Sequence, residues 1–327
     1  PLWAVQQCAA GLHSLLTSPT LQWFGVKTED DAVNAQHDAQ VWLDIASRVM
    51  YGLFNSPKHN FASQSHELYL DLVAFGTGIM AELESAKSGI LFSTRHLREC
   101  VLAENDEDRI DVLHRRWKYT AKQAVEAWGK DAGEKVLKAF ESKPETEFEF
   151  QHSVRPRKDR NPDRRDAKHK PFESAYLSLA DKCEIKVGGF DEFPYIAPRF
   201  SKLAGETYGR GCGHLALPDV KMLNELAKLV LKSAQKIIDP PLQLPDDGFI
   251  VPVRTTPAAL NYYRAGSQGR IEPIRTEGRP ELGIELLNSL RAQITRTFYV
   301  EWMIMPSDLA DQVAKLQGLG LAAERIH

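Results

Sequence analysis

Four lysines recur at helical spacing in the second half of this 327-residue sequence: Lys221, Lys228, Lys232 and Lys236. Steps of seven and four residues place side chains on one side of an α-helix, so the four ammonium groups would form one basic row. Such a row can contact the phosphates of nucleic acid without reading its bases. A lysine row that includes an acid, here Glu225, is also typical of an ordinary solvated helix face, and both interpretations stay open.

Motifs of the common enzyme classes are missing from the sequence. There is no Gly-x-x-x-x-Gly-Lys-Ser/Thr phosphate loop, no His-Glu-x-x-His pair and no Gly-x-Ser-x-Gly elbow. Gly209, Gly211 and Gly213 suggest a dinucleotide site, but His214 stands where the last glycine is expected and no predicted strand runs into the turn. We therefore expect no catalytic residue, no cofactor and no metal ion, while a site of a new kind stays open.

The composition is that of an ordinary soluble protein. A formal net charge of −3 argues against a protein that coats nucleic acid by bulk attraction, so any DNA contact should be local or weak. The four cysteines have neither zinc-site nor disulfide-framework spacing, which suits a reducing cytoplasm. No segment approaches the ~18 uncharged apolar residues of a membrane span and no signal peptide is visible, so we expect neither membrane contact nor export. Because the sequence begins at Pro1, we expect it to be part of a longer chain.

Two long amphipathic helices are predicted to position the basic row. The first runs from Asp219 to Ile238 with Pro218 in its first turn, and it is about 30 Å long at 1.5 Å per residue. The second runs from Pro280 to Val300. Apolar residues at steps of three and four form the packing stripes, which are Leu223, Leu226, Val230, Ala234 and Ile237 on the first helix and Leu286, Leu287, Leu290, Ile294 and Phe298 on the second.

The segment between these two helices cannot be helical. From position 240 to position 280 it holds seven prolines and four glycines, which break helices. Extended runs at 249–253 and 270–274 predict a small strand-and-turn module. A second glycine-dense stretch, with glycines at 205, 209, 211 and 213, predicts a tight loop between Arg199 and Leu215, because glycine adopts backbone angles that other residues resist.

The first 200 residues predict helices followed by an antiparallel sheet, which is an α+β fold. Helices are predicted at 2–17, 30–54 and 61–76, then an extended run at 79–83 and strands at 90–92, 96–103, 110–119, 145–154, 172–179 and 183–187. Thr120 is predicted to cap a short helix that runs to Trp128, and Asp131 a second that runs to Phe140. The charged loop 155–170 is predicted to be a solvated hairpin tip rather than a nucleic-acid arm. The helix at 30–54 is amphipathic, with one stripe made of Val33, Val41, Ile45, Val49 and Leu53.

The run FPYIAPRFSKLAGETYGRGCGHLALPDVKMLNELAKLVLKSAQKIIDPPL, residues 193–242, closely resembles the portal, or head-to-tail connector, proteins of tailed bacteriophages, particularly short-tailed phages. The resemblance extends to DLVAFGTGIMAELE at 71–84 and to HSVRPRKDRNPDRRDAKHKPFESAYL at 152–177, and covers most of residues 1–305. It implies a portal-like α+β fold with a mixed helical and antiparallel-sheet wing domain, two stem helices and a small α/β clip. The implied domains are a wing at 1–216, a first stem helix at 217–239, a clip at 240–279, a second stem helix at 280–302, and a partial channel-loop, wing or crown segment at 303–327.

The resemblance also implies a function. The family forms rings, here expected to hold twelve subunits, at a capsid vertex, where they conduct DNA during packaging and ejection. Implied partners are further copies of the chain, tail adaptors or head-completion proteins, the packaging ATPase (terminase), the major capsid protein and double-stranded DNA bound non-specifically. The protein would reside in the virion after assembly in the cytoplasm of the bacterial host. The lysine row would face the DNA channel, and the clip residues expected to dock adaptors are Phe249, Val251, Val253, Tyr262, Tyr263, Ile271 and Ile274.

Two alternatives remain at this point. A nucleic-acid-processing enzyme would need acidic residues that converge on a metal ion. A tail adaptor would lack the arrangement of helix, clip and helix. The mass of the assembled particle separates the leading interpretation from an enzyme, because a portal-like chain should form a very large ring.

Overall fold

A computed structural model describes residues 1–85, 89–164, 166–238, 242–243, 272–273 and 280–303. The chain divides into two compact units, Pro1–Ala216 with Thr297–His327 and Leu217–Arg296. Helices and antiparallel sheets make up the first unit, so the predicted α+β class is confirmed. Among the helices that the structure describes, none combines the length and the apolarity needed to cross a membrane.

Helices form the amino-terminal part of the first unit. They are α1 (Leu2–Leu16), α2 (Asp31–Asn34), α3 (His37–Asn55) and α4 (Phe61–Phe75). The prediction of one helix over 30–54 is wrong, because the extended backbone of Gln36 (φ −76°, ψ 131°) separates α2 from α3. The Asp30 side chain caps α2 by accepting a hydrogen bond from the backbone N–H of Ala32 at 2.8 Å.

Two antiparallel sheets follow the helices. The three-stranded sheet has the order β2-β1-β8, with β1 at Met80–Ser85, β2 at Gly89–Thr94 and β8 at Tyr195–Ile196. The five-stranded sheet is a meander of β3 (Cys100–Glu104), β4 (Ile110–Thr120), β5 (Glu147–Pro156), β6 (Phe172–Ser178) and β7 (Cys183–Phe190). The predicted strand at 96–103 is wrong in its first half, where Leu97–Glu99 forms a 3-10 turn. The other predicted strands are confirmed, with small shifts at their ends.

Two short helices, α5 (Ala121–Trp128) and α6 (Glu134–Ser142), lie between β4 and β5. Thr120 caps α5 as predicted. Its hydroxyl accepts from the Gln123 backbone N–H at 3.3 Å, and the Gln123 side chain accepts from the Thr120 backbone N–H at 3.1 Å. The predicted cap at Asp131 is wrong, because Asp131 lies in a 3-10 turn, Gly129–Ala132, and α6 begins after Gly133. The two helices pack on the five-stranded sheet through a buried cluster of Trp117, Ala121, Ala124, Ala132, Val136, Phe150 and Ile185.

Close backbone packing joins the end of α4 to the start of α7 (Cys212–Ile238). A Cβ on Gly211 would lie 2.7 Å from the amide nitrogen of Gly76, and Cβ atoms on Gly209 and Gly213 would overlap backbone atoms near the end of α4. Of the four glycines in the predicted loop, Gly205 alone has a positive φ, of 81°. The glycines at 209, 211 and 213 are therefore required for close approach rather than for unusual backbone angles, which corrects the predicted reason.

The second unit contains most of two long helices, α7 and α8 (Pro280–Thr297). The predicted start at Asp219 is wrong, because α7 begins at Cys212 and contains Pro218. A proline inside a helix lacks the N–H of the intrahelical hydrogen bond, yet here the helix continues through it. The helix α8 ends three residues before the predicted Val300, which starts a 3-10 turn at Val300–Trp302.

Two short strands are the described part of the predicted strand-and-turn module. Strands β9 (Leu242–Gln243) and β10 (Glu272–Pro273) pair antiparallel, with Glu272 opposite Gln243. The expected docking residues Phe249, Val251, Val253, Tyr262, Tyr263, Ile271 and Ile274 lie outside the described residues.

Candidate functional site: a basic helix and exposed apolar faces

The four predicted lysines all lie on α7 with exposed side chains. At about 100° per residue they fall within an arc of about 80° around the helix axis. Lys228 pairs with Glu225 at 3.7 Å between Nζ and Oε2, and both side chains are more than half exposed. Such a pair contributes less than about 1 kcal/mol. The basic row is therefore exposed and almost unpaired within the described residues, and its contact with DNA stays a prediction.

Helices α7 and α8 contact each other through a glycine. A Cβ on Gly283 of α8 would lie 2.6 Å from Cγ2 of Val230 on α7, so the absence of a side chain permits this approach. The predicted packing residues differ in exposure. Leu223, Leu287, Leu290 and Ile294 are buried, Leu226 and Val230 are half-buried, and Ile237 is 47% exposed.

Other apolar side chains on these two helices face solvent. A helix that packs against its own chain on one side normally has polar residues on the other side. Exposed apolar residues are expected instead on a helix that packs on two sides. In the second unit, and besides Ile237, the exposed residues are Leu217, Met222, Leu229, Leu231 and Ile238 on α7 and Leu282, Ile284 and Leu286 on α8. At about 100° per residue, Met222 and Leu229 lie on the side of α7 opposite to Leu231 and Ile238, so this helix exposes apolar groups on two sides.

A further exposed apolar face lies on α3, in the first unit. Val41, Trp42, Ile45 and Val49 are all exposed, and Trp42 is 66% exposed. The other side of the helix is the packed one, since Ser47 is buried and its hydroxyl accepts from the Val26 backbone N–H at 2.9 Å. Three residues of the predicted stripe, Val41, Ile45 and Val49, thus point away from the core of the first unit, whereas Val33 lies on α2 and Leu53 is half-buried. We refer to Val41, Trp42, Ile45 and Val49 as the α3 face.

The charged loop 155–170 joins β5 to β6 as a hairpin. Arg155 pairs with Glu173 at 3.1 Å and Lys170 with Asp191 at 2.9 Å. Arg157 donates to two backbone carbonyl oxygens. These local partners favour the predicted solvated tip over a nucleic-acid arm.

Acidic side chains of the first unit pair with cations. Lys202 bridges Glu104 and Asp108, at 2.9 Å and 3.1 Å, and Arg199 also pairs with Glu104. Within the described ranges, no group of three or more His, Cys, Asp or Glu side chains is placed to hold a metal ion. These carboxylates belong to an ion-pair network.

A cluster of cations and aromatic rings was not found by sequence reasoning. Alternation along β4 places Arg115, Trp117 and Tyr119 on one side of the strand, and the Arg115 guanidinium lies 4.5 Å from the centroid of the Trp117 ring. With Arg95 and Trp128 they line a cavity of about 630 Å³. The Arg-x-Trp-x-Tyr pattern in a predicted strand is the signal that could have revealed the cluster.

A buried histidine forms one wall of this cavity. His152 Nδ1 lies 2.8 Å from the Tyr195 hydroxyl and Nε2 lies 2.8 Å from the Ser174 hydroxyl. Its ring stacks on Tyr176 with centroids 4.0 Å apart. Burial, assisted by the charges of Arg115 and Arg95, lowers the pKa of His152 to about 3. The imidazole is therefore neutral at physiological pH.

Known proteins resemble this chain along most of its length. The sequence profile of the family described as "Bacteriophage head to tail connecting protein" matches residues 1–314. The chain is 28% identical over 346 residues to "Probable portal protein" of Bordetella phage BPP-1, which covers 99% of this chain and 61% of that protein. It is 30% identical over 242 residues to "Portal protein" of Salmonella phage epsilon15, which covers 72% of this chain and 43% of that protein. The chain thus spans less than two thirds of the length of either relative.

These matches confirm the resemblance seen in residues 71–84, 152–177 and 193–242, and nothing in them favours a nucleic-acid-processing enzyme. The profile includes the five-stranded sheet, the α3 face and the basic helix α7. The chain therefore belongs to the family of bacteriophage head to tail connecting proteins.

Proposed function

We propose that this chain is a portal subunit, a structural protein that forms a closed ring at a capsid vertex and conducts DNA during packaging and ejection. Family membership supports the class of protein. Ring assembly is supported by the apolar side chains that stay exposed on three helices, α3, α7 and α8. Burying it against other copies recovers about 25 cal/mol per Å² of apolar surface.

Ring closure requires one patch of a subunit to bind a different patch of the next subunit. The α3 face and the exposed apolar residues of α7 and α8 belong to different compact units, so one chain carries distinct apolar surfaces. Twelve subunits are the copy number expected from the family resemblance.

DNA must slide through such a ring without being read, so the contacts should be sparse, directed to phosphates and sensitive to salt. The exposed lysine row on α7 suits this role, since its four side chains repeat in every subunit and, within the described residues, Lys228 alone among them forms an ion pair with an acidic side chain. We assign α7 and α8 to the stem, residues 1–216 to the wing and residues 240–279 to the clip.

The assigned clip is the proposed docking end for tail adaptors and, transiently, for the packaging ATPase. The antiparallel pair β9 and β10 supports an extended module there. Unpaired strand edges accept strands from partners. The wing would contact the major capsid protein, and the assembled ring would be part of the virion after assembly in the host cytoplasm.

Native mass measurement and negative-stain imaging of the purified chain test the proposal. We expect a large ring with a central hole, and a stable monomer at micromolar concentration would refute it. Val49→Asp places a charge in the α3 face and should prevent ring formation while the subunit stays folded. Val101→Asp is the matched control, because Val101 is also exposed but lies on β3, outside the α3 face. If both variants form rings as the parent does, the α3 face is not an interface.

A further inference from the structure

The cavity of about 630 Å³ in the first unit has an unusual combination of walls. Aromatic rings of Trp117, Tyr119, Trp128 and Tyr176 supply flat apolar surfaces. The cavity is also lined by Arg95 and Arg115, and its rim carries Lys186 and Asp131. Guanidinium groups bind carboxylates through paired hydrogen bonds, and aromatic rings pack against planar apolar groups.

The charges in this cavity do not balance. Arg115 is neutralised by Glu99, with 2.9 Å between Nε and Oε2. On the rim, Lys186 and Asp131 carry opposite charges. Arg95 remains, since no acid in the part of the chain that the structure describes forms an ion pair with it. One positive charge is left over.

The environment of Arg95 makes this charge costly. Its Nε is completely buried and has no hydrogen-bond partner among the described residues. Burial and the like charge of Arg115 lower the pKa of Arg95. A buried N–H without an acceptor forfeits the hydrogen bond that water would supply. An anion in the cavity would restore the charge balance.

We propose that this cavity binds one carboxylate group that is joined to a planar apolar body. A single negative charge matches the single unpaired guanidinium, which favours a carboxylate over a dianionic phosphate. The planar fork of Arg95 suits the two carboxylate oxygens. The cavity volume exceeds that of a carboxylate alone, and the aromatic walls would contact the apolar body. The ligand is either a free aromatic carboxylate or an acidic side chain beside an aromatic residue in a protein.

Tryptophan fluorescence of the whole chain reports binding directly, because Trp117 and Trp128 line the cavity. The probes are benzoate, its neutral isostere benzamide, inorganic phosphate, and a peptide with blocked termini that carries adjacent Phe and Glu residues, all at constant ionic strength. We expect a saturable response to benzoate or to the peptide, and at least a tenfold weaker response to benzamide and phosphate. Tighter binding of benzoate indicates a free carboxylate, whereas tighter binding of the peptide indicates a protein side chain.

Substitution of Arg95 tests the assignment. Arg95→Gln should weaken binding by about tenfold or more, since a hydrogen-bonded charge is lost. It should not lower the melting temperature of the ligand-free chain, because it removes an unpaired cation. Arg98→Gln is the control, because Arg98 is exposed and does not line the cavity. Arg95→Lys keeps the charge without the fork and should weaken binding several-fold, which provides a second test if the glutamine variant misfolds.

Three results would each overturn the proposal. The first is the absence of a saturable response to both benzoate and the peptide. The second is equal binding of benzoate, benzamide and phosphate. The third is unchanged benzoate and peptide binding in Arg95→Gln, or in Arg95→Lys if only that variant folds.

Discussion

Replacing Gly211 with alanine should destabilise the first unit by about 2–3 kcal/mol. The new Cβ would lie 2.6 Å from the Val73 carbonyl oxygen, 2.7 Å from the Gly76 amide nitrogen and 2.8 Å from the Leu72 carbonyl oxygen. Carbon and oxygen atoms in proteins approach to about 3.3 Å, so each neighbour would have to move by about half an ångström or more.

The magnitude follows from three contributions. Overpacking against a rigid neighbour costs about 1–3 kcal/mol, and the upper part of that range applies because all three atoms belong to the backbone. The Gly76 N–H donates to the Leu72 carbonyl oxygen at 2.9 Å, and disturbing this hydrogen bond costs about 1 kcal/mol more. Alanine also reduces the conformational entropy of the unfolded chain, which offsets the destabilisation by about 0.4–1 kcal/mol.

Urea unfolding followed by tryptophan fluorescence, at a concentration where subunits are unassembled, measures the difference. In a thermal melt of the same samples, the melting temperature should fall by about 4–12 °C, at about 2–4 °C per kcal/mol for a domain of this size. Gly25→Ala is the matched control, because a Cβ there meets no atom within 4 Å. Equal stability of the Gly211→Ala and Gly25→Ala variants would refute the argument from close approach.

Three further predictions concern a buried histidine, the basic row and the assigned clip. As the pH falls from 6.5 towards 3, His152 takes up a proton in the unfolded state but not in the folded state. The free energy of unfolding should therefore decline by up to about 1.4 kcal/mol per pH unit. In acid titrations His152→Gln should flatten that decline, whereas His37→Gln, at an exposed position, should leave it unchanged. Changing the four α7 lysines to glutamine should preserve ring assembly but flatten the salt dependence of DNA binding, by about 0.9 log units for each phosphate that is no longer neutralised. The control changes four exposed lysines of the first unit, Lys122, Lys130, Lys138 and Lys143, and identical slopes in both variants would assign the α7 lysines to a solvated face. Replacing residues 242–277 with a short linker should leave the first unit folded and abolish adaptor binding in a pull-down. If adaptors still bind, the docking surface lies in another part of the protein.

Period and capping rules predicted most of the first unit. Alternation of apolar residues located β4 to β7, and Thr120 marked the start of α5, because both signals depend on neighbours within a few residues. The start of α7 was missed for the opposite reason. Pro218 is locally a first-turn residue, and only contacts between the glycines near 211 and the distant end of α4 show that the helix begins earlier.

The sequence revealed the residue patterns of the candidate surfaces but not whether those residues are exposed. The sequence shows that Lys221, Lys228, Lys232 and Lys236 share a side of a helix, and the structure adds that all are exposed. The sequence also shows an apolar stripe on α3, but it does not show which residues of the stripe face outward. The residues that cover the opposite side of the helix, such as Val26, are distant in the sequence. The cavity around Arg95 was missed since its walls come from several strands and a helix.

The joint between α4 and α7 has a mechanical consequence. Contacts between side chains can absorb a small displacement by a change of rotamer, whereas the contact of Gly209, Gly211 and Gly213 with the end of α4 is made by backbone atoms that have no rotamers to change. A push on the first turn of α7 must therefore move the end of α4 by the same amount. The contact between α4 and α7 is therefore rigid, and a single methyl group added at one of these glycines would push the two helices apart.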